Sequence, residues 1–324
     1  PLNQQTLLAY DALDRLRQVT DPAAGQTHYQ YDGQDRLRRV TDPRNLATTY
    51  SIDGLGNRTQ QHSPDSGLTS SRHDAAGNEI SRTDGKGQTT TFDYDALNRL
   101  SRIHYADGRR SDVLWDQGAN GIGRLSRIED RQNDQLISRL ENTYDPQGRL
   151  IRQTRSVGQA SHTLAWTWSA GRLTGATTAS GRRLAYRHDG NGRLSEIHLT
   201  DSAPGGDGRT RLIASEISYH PFGGVHSYRD GAGQKHTRNQ DQDGRPSSYT
   251  LGSDHWLLSH DAAGRLSAQF DAAQAAHSAT YGYDSLDRLT SANLPHTRYG
   301  YTWDATGNRL SHTLGGTTRP YTLD

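Results

Sequence analysis

Seven letters recur along this chain: YDALDRL at 10–16, YDGQDRL at 31–37, YDALNRL at 94–100 and YDSLDRL at 283–289. A catalytic motif is needed once. A motif rewritten through the whole length marks a building unit and restricts the chain to repeat architectures. Asp11, Asp32, Asp53, Asp74, Asp95 and Asp116 follow one another at 21-residue intervals. Asp145, Asp189, Asp241, Asp261, Asp284 and Asp304 carry the same pattern at irregular spacing, and Ser169 and His220 stand in the Asp slot of two further units.

Before the Asp, apolar and aromatic residues alternate, as in Tyr29/Tyr31, Phe92/Tyr94, Trp166/Trp168 and Tyr301/Trp303. Residues two apart share one face of a strand, so the pattern predicts a β-strand with an aromatic stripe. Three residues after every one of these Asp except Asp116 stands Gly, Asn or Asp, the types that tolerate a left-handed backbone, which predicts a tight turn. The following Arg-Leu opens a second strand. DPAAG at 21–25, DPRN at 42–45, TDGKG at 83–87 and ADG at 106–108 read as second turns, with Pro presetting φ and Gly supplying positive φ. Each unit is therefore a β-hairpin, and YDxxxRL is its turn and flanks.

About fourteen such units imply nearly thirty antiparallel strands, and open twisted sheets rarely exceed ~10 strands without curling. The expected fold is all-β: a long antiparallel β-hairpin meander curling into a spiral or hollow shell, with few helices. Residues 1–324 read as a single array, regular over 1–125 and looser over 126–324. Within it, 117–143 and 199–218 read as long hairpin loops or departures from register.

Composition taken alone leaves disorder open, since only 31% of residues are hydrophobic and mean hydropathy is −0.93. The periodicity closes that option. There is no cysteine, so disulfides, thiolate catalysis and Cys-ligated zinc are excluded. Methionine is also absent and the sequence opens on Pro1, which reads as a fragment or processed piece of something longer. No apolar run approaches a transmembrane helix, and no signal peptide is visible. Two Lys and 35 Arg are interspersed with 36 Asp and Glu, which argues against a nucleic-acid or membrane footprint.

A dozen equivalent carboxylates at turn starts read as Asx-type caps rather than acid–base catalysts, and the Arg after each turn reads as their partner. NQDQDG (239–244) imitates the start of a calcium loop, but the twelfth position is Thr250 instead of Glu, so the repeat register is the better explanation. Fifteen His are scattered; His73, His188 and His260 occupy the aromatic slot, and His255 and His260 form no metal motif. Asn57 belongs to a formal glycosylation sequon but shares a turn slot with Asn78 and Asn308. No nucleotide-binding or nucleophile-elbow motif is present, and no catalytic residue, cofactor or metal is expected.

These units, together with YDPQGRL, HDGNGRL, HDAAGRL, WDATGNRL and YHPFGG (219–224), resemble the YD-repeat or Rhs-repeat family of bacterial toxin shells, TccC-type toxin components and teneurins. The resemblance runs from Tyr10 to about Leu310. It implies a non-enzymatic segment of a hollow β-shell that encloses a toxin or effector domain of a larger, secreted or delivered polypeptide. Other repeats of that polypeptide would be its neighbours. The C-terminal core signature with its self-cleavage Asp residues, and a toxin domain after it, are not found in this sequence. The alternative is an extracellular carbohydrate- or partner-binding module that stacks sugars on Tyr29, Tyr31, Trp166, Trp168 and Tyr301. Packed rings would favour the shell and rings exposed in a groove the binder. Unpaired edges at both ends are expected to leave an open, self-associating ribbon.

Overall fold

A computed structural model describes Leu2, residues 4–221 and residues 223–322. Among the described residues the chain forms 29 strands, numbered β1 to β29 along the sequence, and one short 3₁₀ turn at Ala275–His277. Consecutive strands pair antiparallel: β1 (Leu7–Tyr10) with β2 (Leu16–Thr20), β2 with β3 (Gln26–Tyr31), and β3 with β4 (Leu37–Thr41). The chain divides into two compact units. The first gathers the strands up to Ser70, the turn Asp84–Lys86 and the chain from Thr237 onward; the second comprises Ser71–Thr83 and Gly87–His236. Within each, the meander of hairpins is the whole architecture.

Tight contacts between elements join strands that follow one another in sequence. The buried apolar residues are Ala214, Ala268, Ala279 and Ala292, and no large side chain is fully buried among the described residues. Ordinary domains bury a second layer against the first. Among the described residues neither unit has such a core, so a hydrophobic content of 31% is enough. The ladder hydrogen bonds and cross-strand side-chain pairs must carry the stability instead.

The repeated turn has one geometry. The Asp11 N–H donates to the Arg15 carbonyl (2.9 Å) and the Asp14 N–H to the Asp11 carbonyl (3.1 Å). The same pair of bonds closes the turns at Asp32, Asp53, Asp145, Asp261 and Asp284. Such five-residue loops need a left-handed residue before the second strand. Asp14, Asp35, Asn98, Asp287, Gly148, Gly192 and Gly264 all supply it, with φ between 58° and 81°. At Gly264 a Cβ would meet only ordinary contacts with Arg245, so strain there is purely backbone. Gly264→Val is expected to cost about 1–2 kcal/mol and to lower the melting temperature, because a β-branched residue resists positive φ. Thermal melts followed by circular dichroism check this.

The structure adds a β-bulge that the letters do not announce. Tyr10 lies opposite Leu16, Tyr31 opposite Leu37 and Tyr283 opposite Leu289, with one extra residue on the second strand of each hairpin. Bulges sharpen local twist and re-aim side chains. The second turns prove to be the same turn as the first: Asp21 N–H donates to the Gly25 carbonyl and Asp42 N–H to the Leu46 carbonyl. In DPAAG the positive φ falls on Ala24 (65°), so Gly25 does not supply it. A Cβ on Gly25 would sit 2.6 Å from Asp21 Oδ2, the end of a side chain, and the matching positions Arg15 and Leu46 carry a Cβ beside their own Asp.

One reading of the register is corrected. Ser169 does not take the Asp slot: it pairs with Arg172 across a two-residue turn, Ala170–Gly171, with φ of 47° and 78°. One residue fewer leaves no room for the five-residue loop. His220 keeps the slot, its N–H donating to the Gly224 carbonyl (3.1 Å). The stretch 117–143 holds a long loop at 116–124, closed by the Asp116 N–H to the Arg124 carbonyl (3.1 Å), and then β12 (Leu125–Gln132) and the start of β13 (Gln135–Tyr144) around a tight Asn133–Asp134 turn. In 199–218 the loop covers only 201–209, between β18 (Leu194–Thr200) and β19 (Thr210–Tyr219). In both stretches a long hairpin loop and longer strands break the spacing.

Candidate functional site: the repeated turn staple

Each letter of the motif has a contact. Asp284 Oδ1 accepts the N–H groups of Leu286 (2.9 Å) and Arg288 (3.0 Å), and its Oδ2 accepts Arg288 Nε (2.7 Å). Asp11, Asp32, Asp95, Asp145, Asp189, Asp241 and Asp261 make the same three contacts with their own turns. The clamped Arg then lies over the aromatic ring of the next unit: Arg15 over Tyr31 (5.0 Å to the ring centre), Arg99 over Trp115 (5.0 Å), Arg149 over Trp168 (5.4 Å), Arg193 over Tyr219 (5.1 Å) and Arg265 over Tyr283 (4.7 Å).

The ring in turn donates back to the preceding hairpin. Tyr31 Oη bonds the Leu16 carbonyl (2.9 Å), Trp115 Nε1 that of Leu100 (2.8 Å) and Trp168 Nε1 that of Leu150 (3.1 Å). Tyr219, Tyr283 and Trp303 bond the Leu194, Leu266 and Leu289 carbonyls in the same way. Some guanidinium groups also reach the backbone of the next turn, as Arg288 Nη1 does to the Asp304 carbonyl (2.6 Å). Aromatic, Asp, left-handed residue, Arg and Leu thus form one staple that closes a turn and fastens it to its neighbour. Cation–π and hydrogen-bond contacts of this kind are individually modest and accumulate by repetition.

The carboxylates respond to these donors. A hydrogen bond from Arg15 holds the Asp11 carboxyl below its ordinary range, against partial burial that pushes it up. Arg265 does the same to Asp261, and the Asn78 amide to Asp74. At Asp304 partial burial is the largest influence and pushes upward. Donors from Asn308 and Thr306 together outweigh it and leave the group well below the usual carboxylate range. A carboxyl depressed in the folded state stabilises above its unfolded pKa, near 4, and loses that contribution as pH falls through the folded value. Melts between pH 7 and pH 2 should therefore show an almost constant melting temperature down to about pH 5 and a steep fall below about pH 4.

Tyr29, Tyr31, Trp166, Trp168 and Tyr301 are all half-buried. Tyr31 and Trp168 belong to staples. Tyr29 and Tyr31 border one open hollow with Arg15, Arg17 and His28. Tyr301 lies parallel to Tyr299 with ring centres 6.5 Å apart and has Arg309 over its face at 5.9 Å. Trp166 faces Ala176 across β15 (Ala160–Ser169) and β16 (Arg172–Thr177).

The calcium-like segment is an ordinary turn. Arg245 supplies its positive charge, held by Asp241 and by Asp243 (2.8 Å). No group of three or more His, Asp and Glu side chains among the described residues is placed to hold a metal ion. His188 and His260 sit opposite Leu194 and Leu266, in the aromatic slot. Asn57, Asn78 and Asn308 do more than shape a turn: each takes the place of the clamping Arg and donates Nδ2 to Asp53, Asp74 and Asp304, at 3.1, 2.9 and 2.8 Å. Among the described residues no helix is long and apolar enough to cross a membrane.

Comparison with known proteins places this geometry. The family model described as RHS repeat matches residues 10–45, 31–67, 73–110 and 168–206. Double-stranded DNA deaminase toxin A of Burkholderia cenocepacia (strain H111) is 30% identical over 118 residues, 36% of this chain and 8% of that protein. The Photorhabdus luminescens Tc holotoxin pore superposes with a TM-score of 0.78 at 18% identity, over 98% of this chain and 19% of that one. The TcdB2–TccC3 complex without its hypervariable C-terminal region gives 0.80 at 18% identity with the same coverage. At these identities the likeness establishes the fold. The chain spans about a fifth of those solved chains and under a tenth of the deaminase toxin. The chain is thus similar to RHS-repeat proteins over those four stretches, and its fold is that of the solved Tc toxin chains.

Proposed function

We propose that this chain is a wall segment of an RHS-type β-shell that encloses and protects a toxin or effector domain of a larger polypeptide. The reading is non-enzymatic, and it takes that polypeptide to be secreted or delivered into a target cell. The staple is the observation that carries it. The recurring Asp, Arg and aromatic side chains contact neighbouring hairpins, which makes a laterally fastened sheet with no face-to-face core among the described residues, and such a sheet is suited to being a wall. The neighbours support it: one relative is named as a toxin, and the matching folds come from Tc toxin complexes.

The sugar-binding alternative is disfavoured by the rings themselves, since Trp168 has Arg149 over one face and has given its N–H to Leu150. Limited proteolysis of the full-length gene product tests the proposal. An effector domain shielded by the repeats should resist protease while the repeats stay folded and become cleavable once they are opened by acid. Equal cleavage of that domain in both states would overturn the reading.

A further inference from the structure

Three turns carry asparagine where the full staples carry arginine. In the eight full staples the cation that clamps the Asp comes from four residues further on, whereas Asn57, Asn78 and Asn308, in the same position, are neutral amides. Asp304 therefore receives no guanidinium from its own turn. It receives one from 260 residues away. Arg44 lies in the turn between β4 and β5 (Ala47–Ile52) and places Nη1 3.4 Å from Asp304 Oδ2. The same guanidinium holds Asp42 Oδ2 through Nε and Nη2, at 2.9 and 2.8 Å, and lies 3.5 Å from Asp65. All four residues belong to the first compact unit. The contact is partly dehydrated, with the Asp304 side chain 12% exposed and that of Arg44 24%.

We propose that Arg44 and Asp304 form a lock between two rows of turns in the first unit, and that Asn308 is what makes the lock possible. A long-range contact needs a carboxylate whose charge has not already been matched inside its own hairpin. Asparagine at 308 keeps both hydrogen bonds that shape the turn, from its backbone N–H (2.8 Å) and from Nδ2 (2.8 Å), yet brings no charge. The carboxylate is thus held in place and left electrically open. An arginine at 308 would complete a local staple and compete with Arg44 for Asp304 Oδ2. The specificity of the contact lies in the arginine that is missing.

The test uses the absence of native cysteine. Spin labels at Leu46→Cys and Ala305→Cys, both exposed turn positions, report the separation of the two turns by pulsed dipolar spectroscopy. The labelled parent should give one narrow distance. Asn308→Arg should broaden it and add longer distances, while amide exchange in the 304–308 turn stays unchanged, because arginine is the residue other turns use there. Arg44→Ala lies outside that turn and should open the contact equally, so it decides the matter if Asn308→Arg disturbs the local fold. An unchanged distribution in Arg44→Ala, or a broad one already in the parent, would overturn the lock.

Discussion

Replacing Tyr283 with alanine should destabilise the hairpins on either side of it by about 2–4 kcal/mol, among the largest losses available to a single substitution in this chain. The ring is half-buried, sits under Arg265 at 4.7 Å and donates to the Leu266 carbonyl at 2.9 Å. Alanine removes the packing, uncovers the guanidinium and leaves a carbonyl without its donor. Tyr283→Phe keeps the ring and should lose only about 1 kcal/mol, the ordinary net value of one hydrogen bond. Because long repeat arrays need not unfold in one step, the loss is best read locally. Native-state hydrogen exchange in β24 (Leu266–Asp271), β25 (Ala279–Tyr283) and β26 (Leu289–Leu294) is the suitable measurement.

Asp284→Ala is expected to cost about 2–3 kcal/mol, because it deletes two backbone caps and the acceptor for Arg288 at once. Asp243→Ala makes a useful contrast. That carboxylate is 71% exposed and its ion pair among the described residues is with Arg245, so its loss should stay within about 0.5 kcal/mol. Asp284→Asn should fall between the two, since the amide oxygen can still accept from Leu286 and Arg288 while its NH₂ group faces the Arg288 donor. Comparable losses for Asp243→Ala and Asp284→Ala would mean that charge in general, rather than the capping position, is what the repeated Asp provides.

Much of this was legible in the letters, for physical reasons. A period of two ahead of each Asp can only be a strand in this context. A slot restricted to Gly, Asn and Asp demands a left-handed residue, and Asp14 and Gly148 both adopt one. The carboxylates were readable as caps because twelve equivalent copies cannot all be catalysts. The staple itself was not readable. Which ring an arginine covers depends on the bulge, which shifts Tyr31 opposite Leu37 and is set by three-dimensional register. Ser169 misled because one missing residue changes the turn class while the flanking letters stay the same. Gly25 misled because the left-handed residue of that turn is Ala24, one position earlier. Arg44 looked like any other turn residue, and the amide at Asn308 was the sign that Asp304 has no arginine in its own turn.

The account stands on the claim that the recurring letters fasten one hairpin to the next. A double-mutant cycle on Arg149 and Trp168 tests it most directly, because the arginine follows one turn and the ring precedes the following one. Arg149→Ala, Trp168→Ala and the double substitution would be compared through exchange-derived opening free energies in β14 (Leu150–Val157) and β15. A staple predicts that the two losses do not add, with a coupling of about 0.5–1 kcal/mol between residues 19 apart in sequence. Losses that add to within about 0.3 kcal/mol would show that the ring and the guanidinium act independently, and would contradict the account.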